Sequence, residues 1–459
     1  MILFLAYALT APARQTSTAP HAAAGKPPSQ APTPTIKVRV NQVLVPVVVT
    51  DQGGHSVVGL KAGDFEVFED GVEQKLSVFQ TENERAPEDG HVVSLDPSAS
   101  SAQPLPSLPA GGKTPLRRTY LVCLDTFNSS FENFVYVRNA LHKLFKQEQD
   151  GDSLYAILTM GRTLAMPQNL TRDPAAVLAA IGSKNLTRAI QQSESANLKS
   201  QEEELKRMLT EYCGGCPCFG ESATAGGRGA MKGGSVCGGE LQRIERWAGS
   251  MAEERSYLTR AFLQNLNVVV ERMGQMPGKR IIVFVSDGFN THPGRNLFDI
   301  ISAYTRDPSE AMNGSINDAE PQIQDILRAA SAHNVVFYTL DSRGLSVADG
   351  GVFEASDSAE MTDMYKVLPE LQQQRQITAL EDQGPLAELA QATGGVFFHN
   401  NNDLFRGLRQ AFADGREYYL LAYASSNQAM DGKFREIKVS VKGKNLIVRA
   451  KHGYWAASN

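Results

Sequence analysis

The chain has 459 residues, 42% hydrophobic and 21% charged, which excludes both a membrane-embedded protein and a highly charged disordered chain. Forty-five basic against fifty acidic side chains give a net charge of -5; with no strongly basic domain to neutralise phosphates, nucleic acid is not an expected partner. At about 150 residues per domain the length suggests about three units, or two plus tails.

The chain opens on Met1-Ile-Leu-Phe-Leu-Ala-Tyr-Ala-Leu-Thr-Ala-Pro-Ala13, an apolar run that ends in small residues. It resembles the h-region and cleavage region of a secretory signal peptide, although no Lys or Arg precedes it. The expectation is a secreted, periplasmic or cell-surface protein. No cysteine follows the run to carry a lipid, and no later stretch reaches the roughly 18 apolar residues of a transmembrane segment. Residues 14–35, rich in Ala, Pro, Ser, Thr and Gln, read as a linker that buries too little to fold.

Residues 36–85 read as an N-terminal β segment. Ile36, Val38, Val40, Val43, Val45, Val47 and Val49 nearly alternate, as in a strand, with Pro46 hinting at an edge or bulge. Asp70-Gly71 then separates two apolar-rich runs and supplies the positive φ angles of a tight hairpin turn. Residues 86–117, with Pro97, Pro104, Pro106, Pro109 and Pro115 among Ser, Gly and Ala, form a second linker.

From 118 to 415 continuous apolar runs at 119–124, 153–160, 280–286, 334–340 and 395–399 alternate with helical patterns. Unbroken apolar runs suit parallel strands covered on both faces, so the reading is a Rossmann-like, doubly wound α/β domain with a mostly parallel sheet. Helical spacing is clear at Phe131, Phe134, Val137, Leu141 and Leu144, and again at Ile323, Ile326, Leu327 and Ala330. Pro385 suits a first helical turn, and Gly394-Gly395 the end of that helix. Residues 416–459 return to a period of two. Strands are expected at 418–423, 434–441 and 446–450. Each β segment is small for a core of its own, so the two are expected to pack together as one β domain.

Ligands of open α/β sheets bind beyond the carboxyl ends of the strands, where the strand order reverses. Three predicted strands end there in aspartate, at Asp125, Asp287 and Asp341. Carboxylates gathered at one edge repel unless a cation lies between them, and with neighbouring hydroxyls the oxygen ligand set suits a hard ion such as Mg²⁺, with Mn²⁺ or Ca²⁺ as substitutes. A structural reading competes: Ser129 with Glu132 fits a capping box, and Asp-Gly after a strand is ordinary turn chemistry.

At these residues the chain resembles the von Willebrand factor A family, in its bacterial branch of secreted VWFA-related proteins. The resemblance rests on Asp125-Thr-Phe-Asn-Ser129, on Pro277-Gly-Lys-Arg-Ile-Ile-Val-Phe-Val-Ser-Asp-Gly288, on Val336-Phe-Tyr-Thr-Leu-Asp-Ser-Arg-Gly-Leu345 and on Leu389-Ala-Gln-Ala-Thr-Gly-Gly395. Asp64-Phe-Glu-Val-Phe-Glu-Asp-Gly71 and Val448-Arg-Ala-Lys-His-Gly-Tyr454 extend it over both flanks. It implies a metal-ion-dependent adhesion site, built from Asp-x-Ser-x-Ser after the first strand, a Thr from a later loop and an Asp after the fourth strand. Asp125, Ser129 and Asp287 match three elements. Thr187 is favoured over Thr171 for the threonine, and Asp341 is an auxiliary acidic residue. Phe127 stands where the family has a serine; a phenyl ring cannot ligate a hard cation, so ion binding is expected to be weakened. Such a site leaves the ion one position for an acidic residue of a protein partner, which makes the chain a non-enzymatic adhesion module.

Residues 190–255 interrupt the α/β pattern. Gln201 to Leu209 reads as a charged, solvent-facing helix, followed by Cys213, Cys216, Cys218 and Cys237. The four cysteines allow two disulfides in three connectivities, a zinc site, or free thiols; bridged, they would pin a tethered surface knob. Cys123, inside an apolar strand, reads as a small buried side chain. Neither Gly-x-Ser-x-Gly nor His-Glu-x-x-His occurs, and no phosphate loop follows a predicted strand. The nearest enzymatic alternative is a phosphatase-like fold with Asp125 as nucleophile, but Phe127 replaces its usual second aspartate. A third reading is a metal-independent structural protein of the cell envelope, with Phe127 as an apolar contact at the mouth of the site.

Overall fold

The computed structural model describes residues 42–81, 117–216, 218, 230–313, 318–344 and 360–458. The signal-peptide-like run, the first linker, residues 36–41 of the first expected strand and the second linker up to residue 116 lie outside them. The N-terminal strands are β1 (Gln42–Thr50), β2 (Phe65–Glu69), β3 (Val72–Gln74) and β4 (Leu76–Thr81). β2 and β3 form an antiparallel hairpin across Asp70 and Gly71, whose φ angles of 48° and 80° are those of a two-residue turn that follows the strand twist.

The α/β body follows in chain order as β5 (Arg118–Asp125), α1 (Phe131–Gln147), β6 (Ser153–Met160), β7 (Leu164–Thr171), α2 (Pro174–Ile181), α3 (Lys184–Gln191), α4 (Ser195–Gly215) and α5 (Ala230–Met273). It continues with β8 (Lys279–Ser286), α6 (Arg295–Thr305), α7 (Pro308–Asn313), α8 (Glu320–His333), β9 (Val335–Asp341), α9 (Glu360–Thr393), β10 (Phe397–Phe398) and α10 (Leu404–Arg416). The six strands lie in the order β10-β9-β8-β5-β6-β7, all parallel except β7, which is antiparallel to β6. Strand order therefore reverses at the β5–β8 pair. Every residue of β5 is buried. Tyr120, Val122 and Leu124 pack on one face with α1, α2, α3 and α10, while Leu121 and Cys123 pack on the other with α5, α8 and α9. Two apolar faces in alternation read in one dimension as an unbroken apolar run.

Several elements of the α/β body depart from the sequence reading. β7 was not anticipated: as an edge strand with half-buried side chains it lacks the apolar run of the others. α9 runs through Pro385 instead of beginning there. The proline removes one helical bond, and the neighbouring Asp382 carbonyl accepts the Phe289 N–H at 3.1 Å, tying the helix to the end of β8. The expected strand at 395–399 shortens to Phe397–Phe398, because Gly394 has a φ of 86° and the Gly395 N–H still closes the helix onto Ala390.

The described part of the insertion is a helical layer, while the glycine-rich loop at 219–229, expected as a tethered knob, lies outside the described residues. α4 is not simply solvent-facing: Leu205, Met208, Leu209 and Tyr212 form a core with Ile244 and Ala248 of α5 and with Leu297 and Ile301 of α6. Of the three states open to the cysteines the disulfide is found. Cys213 pairs with Cys218 and Cys216 with Cys237, which takes up all four sulfurs and joins the end of α4 to the start of α5.

The C-terminal strands are β11 (Tyr419–Ala424), β12 (Phe434–Val441), β13 (Ile447–Ala450) and the unanticipated β14 (Gly453–Trp455). They interleave with the N-terminal ones in two four-stranded sheets, β13-β1-β11-β4 and β14-β12-β2-β3. Val45, Val47, Val67, Leu421 and Tyr423 share the core between them. This frame is locked to the α/β body by Asp414, which is buried and accepts from Tyr338 Oη at 3.0 Å and from Arg449 Nη1 at 2.6 Å. Thiol titration of the unfolded, unreduced protein should find one reactive group, Cys123, rising to five after reduction; five before reduction would contradict the pairing.

Candidate functional site

The carboxyl ends of β5, β8 and β9 meet where the strand order reverses, and three carboxylates are held there by different means. Asp125 is 3% exposed. Its Oδ1 accepts the backbone N–H groups of Phe127 and Asn128, both at 2.9 Å. Its Oδ2 accepts Asn128 Nδ2 at 2.8 Å and Ser286 Oγ at 2.6 Å. A carboxylate offers about four lone-pair positions, and all four are taken. Burial nevertheless pushes the Asp125 carboxyl up to about 6, against the lowering effect of the bonds from Ser286, Asn128 and Phe127.

Asp287 accepts Ser130 N–H and Asn133 Nδ2 at Oδ2, each at 2.9 Å, and Ser342 Oγ at Oδ1 at 2.5 Å. Burial raises its pKa too, with the bond from Ser342 opposing. Ser129 Oγ accepts the Asp287 N–H at 3.0 Å. The capping box expected from Ser129 and Glu132 is therefore absent: the helix begins after Ser130, which makes no side-chain cap, and Asp287 caps α1 from another strand. Asp341 is 1% exposed and carries its own cation, Arg343, with Nη2 on Oδ2 at 2.9 Å, while Gln383 donates to Oδ2 at 2.7 Å. The three charges are thus separated by Ser286 and Ser342 and by an ion pair.

Thr187 is not brought into this network. It lies on α3 and donates to its own helix at the Ser183 carbonyl, 3.2 Å away. Thr171, at the end of β7, accepts the Asp173 N–H. The hydroxyl beside Ser129 belongs to Ser195, at the start of α4, which donates to the Ser129 carbonyl at 3.1 Å. Phe127 does not sit at the mouth of the site. Its ring is 3% exposed and stacks on Phe262 with centroids 5.7 Å apart, inside the core beneath the sheet.

Of the residues singled out from the sequence, Asp125, Ser129 and Asp287 share one network with Asp341 beside it, and Ser286, Ser342, Asn128, Asn133 and Ser195 join it unanticipated. The serines carried a signal: Ser286 precedes Asp287 and Ser342 follows Asp341, so each abuts an aspartate at a strand end. The cavity shared by Asp125, Ser129 and Ser342 measures about 10 Å³ and is floored by Phe134, Val137 and Ile190. That is room for one water at most.

The folded pKa of Asp125, about 6, lies above the ordinary value of 3.8. Folding therefore takes up a proton between those values, and this contribution to stability is full below pH 4 and lost as pH rises through 6. Asp125→Asn should remove a pH-dependent difference on the order of 2–3 kcal/mol between pH 4 and 7, measured by denaturant unfolding at each pH; parallel profiles for the two proteins would contradict it. Asp125→Ala should lose the same pH dependence and in addition cost about 2 kcal/mol by orphaning two buried N–H groups, so its deficit against wild type is larger at pH 4 than at pH 7. No family model and no curated protein matches the chain.

Proposed function

We propose that the chain is a non-enzymatic, extracytoplasmic protein-binding module of the von Willebrand factor A type, whose strand-end site keeps its shape without a bound ion. Asp125 and Asp287 flank the reversal of strand order, where open α/β sheets take their ligands, and this supports the family reading. Loops from several elements meet around them, with Arg162 on the turn after β6 paired to Glu194 just before α4. Two disulfides suit an oxidising compartment. Among the described residues no helix is long and apolar enough to cross a membrane.

The observation that carries the ion-free reading is the complete occupancy of Asp125 by four donors. A hard divalent ion takes six or more oxygen ligands. Asp125 has no position left, Asp341 is committed to Arg343 and Gln383, and Phe127 supplies no hydroxyl. Asp287 Oδ1 and Ser129 Oγ alone do not make a site, so the residues present do not fit a resident ion. The same occupancy weighs against Asp125 as a phosphatase-like nucleophile, since a buried carboxylate with both oxygens engaged cannot reach a phosphorus atom. Partner specificity would then lie in the surrounding loops, with the carboxylate network as their scaffold.

One observation favours an adhesion site with Mg²⁺, Mn²⁺ or Ca²⁺ as the second reading. Among the described residues no Lys or Arg contacts Asp125, and its burial raises the carboxyl, a cost that a cation would relieve. Isothermal titration of Mg²⁺ or Mn²⁺ decides between them. The ion-free reading expects equal, baseline heats from wild type and Asp125→Ala, and partner capture from envelope extract that survives EDTA. Saturable heat lost in Asp125→Ala, together with EDTA-sensitive capture, would establish the ion-dependent reading instead.

A further inference from the structure

The lateral edge of the six-stranded sheet presents a second surface, away from the Asp125 network. β10 is its last strand and pairs with β9 alone among the described residues. The Val396 carbonyl accepts the Thr339 N–H at 3.1 Å. Backbone groups alternate sides along a strand, so Phe397 turns its N–H and C=O outward. Across this edge stand β12 and β13 of the frame, enclosing a groove of about 410 Å³. Gly394 sets how close the two walls come: a Cβ there would lie 2.7 Å from the Ala450 carbonyl carbon.

The cationic side chains at the groove are Lys438 and Arg449, the latter ion-paired to Asp414. His399 and His452 also line the groove, and no carboxylate among the described residues does. Lys438 and His452 are exposed. Arg449 is ion-paired to Asp414 through Nη1 and its Nη2 is buried, so Lys438 is the cation that the groove exposes. Phe397, stacked on His399 at 4.6 Å, and Val448 supply apolar wall.

We propose that this groove takes an extended, carboxylate-bearing segment of a protein partner, added as a strand to β10 with an acidic side chain toward the exposed Lys438. Strand addition supplies backbone hydrogen bonds, and the walls supply selectivity. Because β10 is only two residues long, the backbone gives few bonds and the contact with Lys438 must carry much of the affinity, which makes binding weak and salt-dependent.

The test is fluorescence anisotropy with the full chain and a labelled, acetylated hexapeptide of alternating Glu and Val. Matched probes replace Glu by Lys, or N-methylate alternate amides. The acidic peptide should bind, and Lys438→Glu, at an exposed position, should weaken it by about tenfold. N-methylation of the strand-facing amides should weaken it similarly, and the Lys peptide should not bind. No binding by the acidic peptide, equal binding of the Glu and Lys peptides, or indifference to Lys438→Glu would overturn the proposal. Indifference to N-methylation would overturn it as well, by reducing the groove to a simple anion pocket.

Discussion

A carboxylate buried at the point where a sheet reverses its strand order is the constraint on which this site depends. Asp125 is expensive to bury, and its four donors are what make the position tolerable. Those donors also assign the surrounding geometry. The N–H groups of Phe127 and Asn128 fold the loop back on β5, and Ser286 fixes the end of β8 against it. Asp287 then caps α1 through Ser130, and Ser342 brings in β9. Three strand ends become one hydrogen-bonded unit in which each aspartate finds its donors locally. An ion bridging these carboxylates would have to break bonds that already hold the loops.

The rest of the molecule supports that edge from two sides. The β frame draws strands from both ends of the chain, so neither terminal segment has a core of its own to close. Asp414, Tyr338 and Arg449 couple the frame to β9 and α10 with a buried, hydrogen-bonded ion pair. Removing one partner of such a pair costs far more than the pair contributes, which favours a single arrangement of frame and body. On the other side the disulfides hold α4 to α5, and Ser195 at the start of α4 touches Ser129. The cysteine-bearing insertion therefore packs into the molecule and reaches the site.

Much of the fold was legible because its strongest signals are local. β6 is buried on both faces and reads as an apolar run with its true limits, and Asp70-Gly71 marks its hairpin through the two positive φ angles of a tight turn. β7 escaped because an edge strand need not be apolar, and the continuation of α9 through Pro385 escaped because tertiary packing outweighs the lost bond. At the site, Asp125, Ser129 and Asp287 were legible as strand-end oxygens, but their bonding was not. Ser129 could serve α1 or Asp287, and only the distance between strands decides. Thr187 followed a helix at a plausible spacing, yet its hydroxyl is satisfied within that helix. Phe127 looked like a disturbance at the mouth of the site; the loop turns it into the core, where an apolar ring belongs.

The central claim is that the carboxylate network at the strand reversal is complete without an ion. Anomalous diffraction from crystals grown in excess Mn²⁺ tests it most directly. The account predicts no manganese peak between Asp125, Ser129 and Asp287, with Ser286 still bonded to Asp125. A peak there, with Ser286 or Asn128 displaced from the carboxylate, would contradict it.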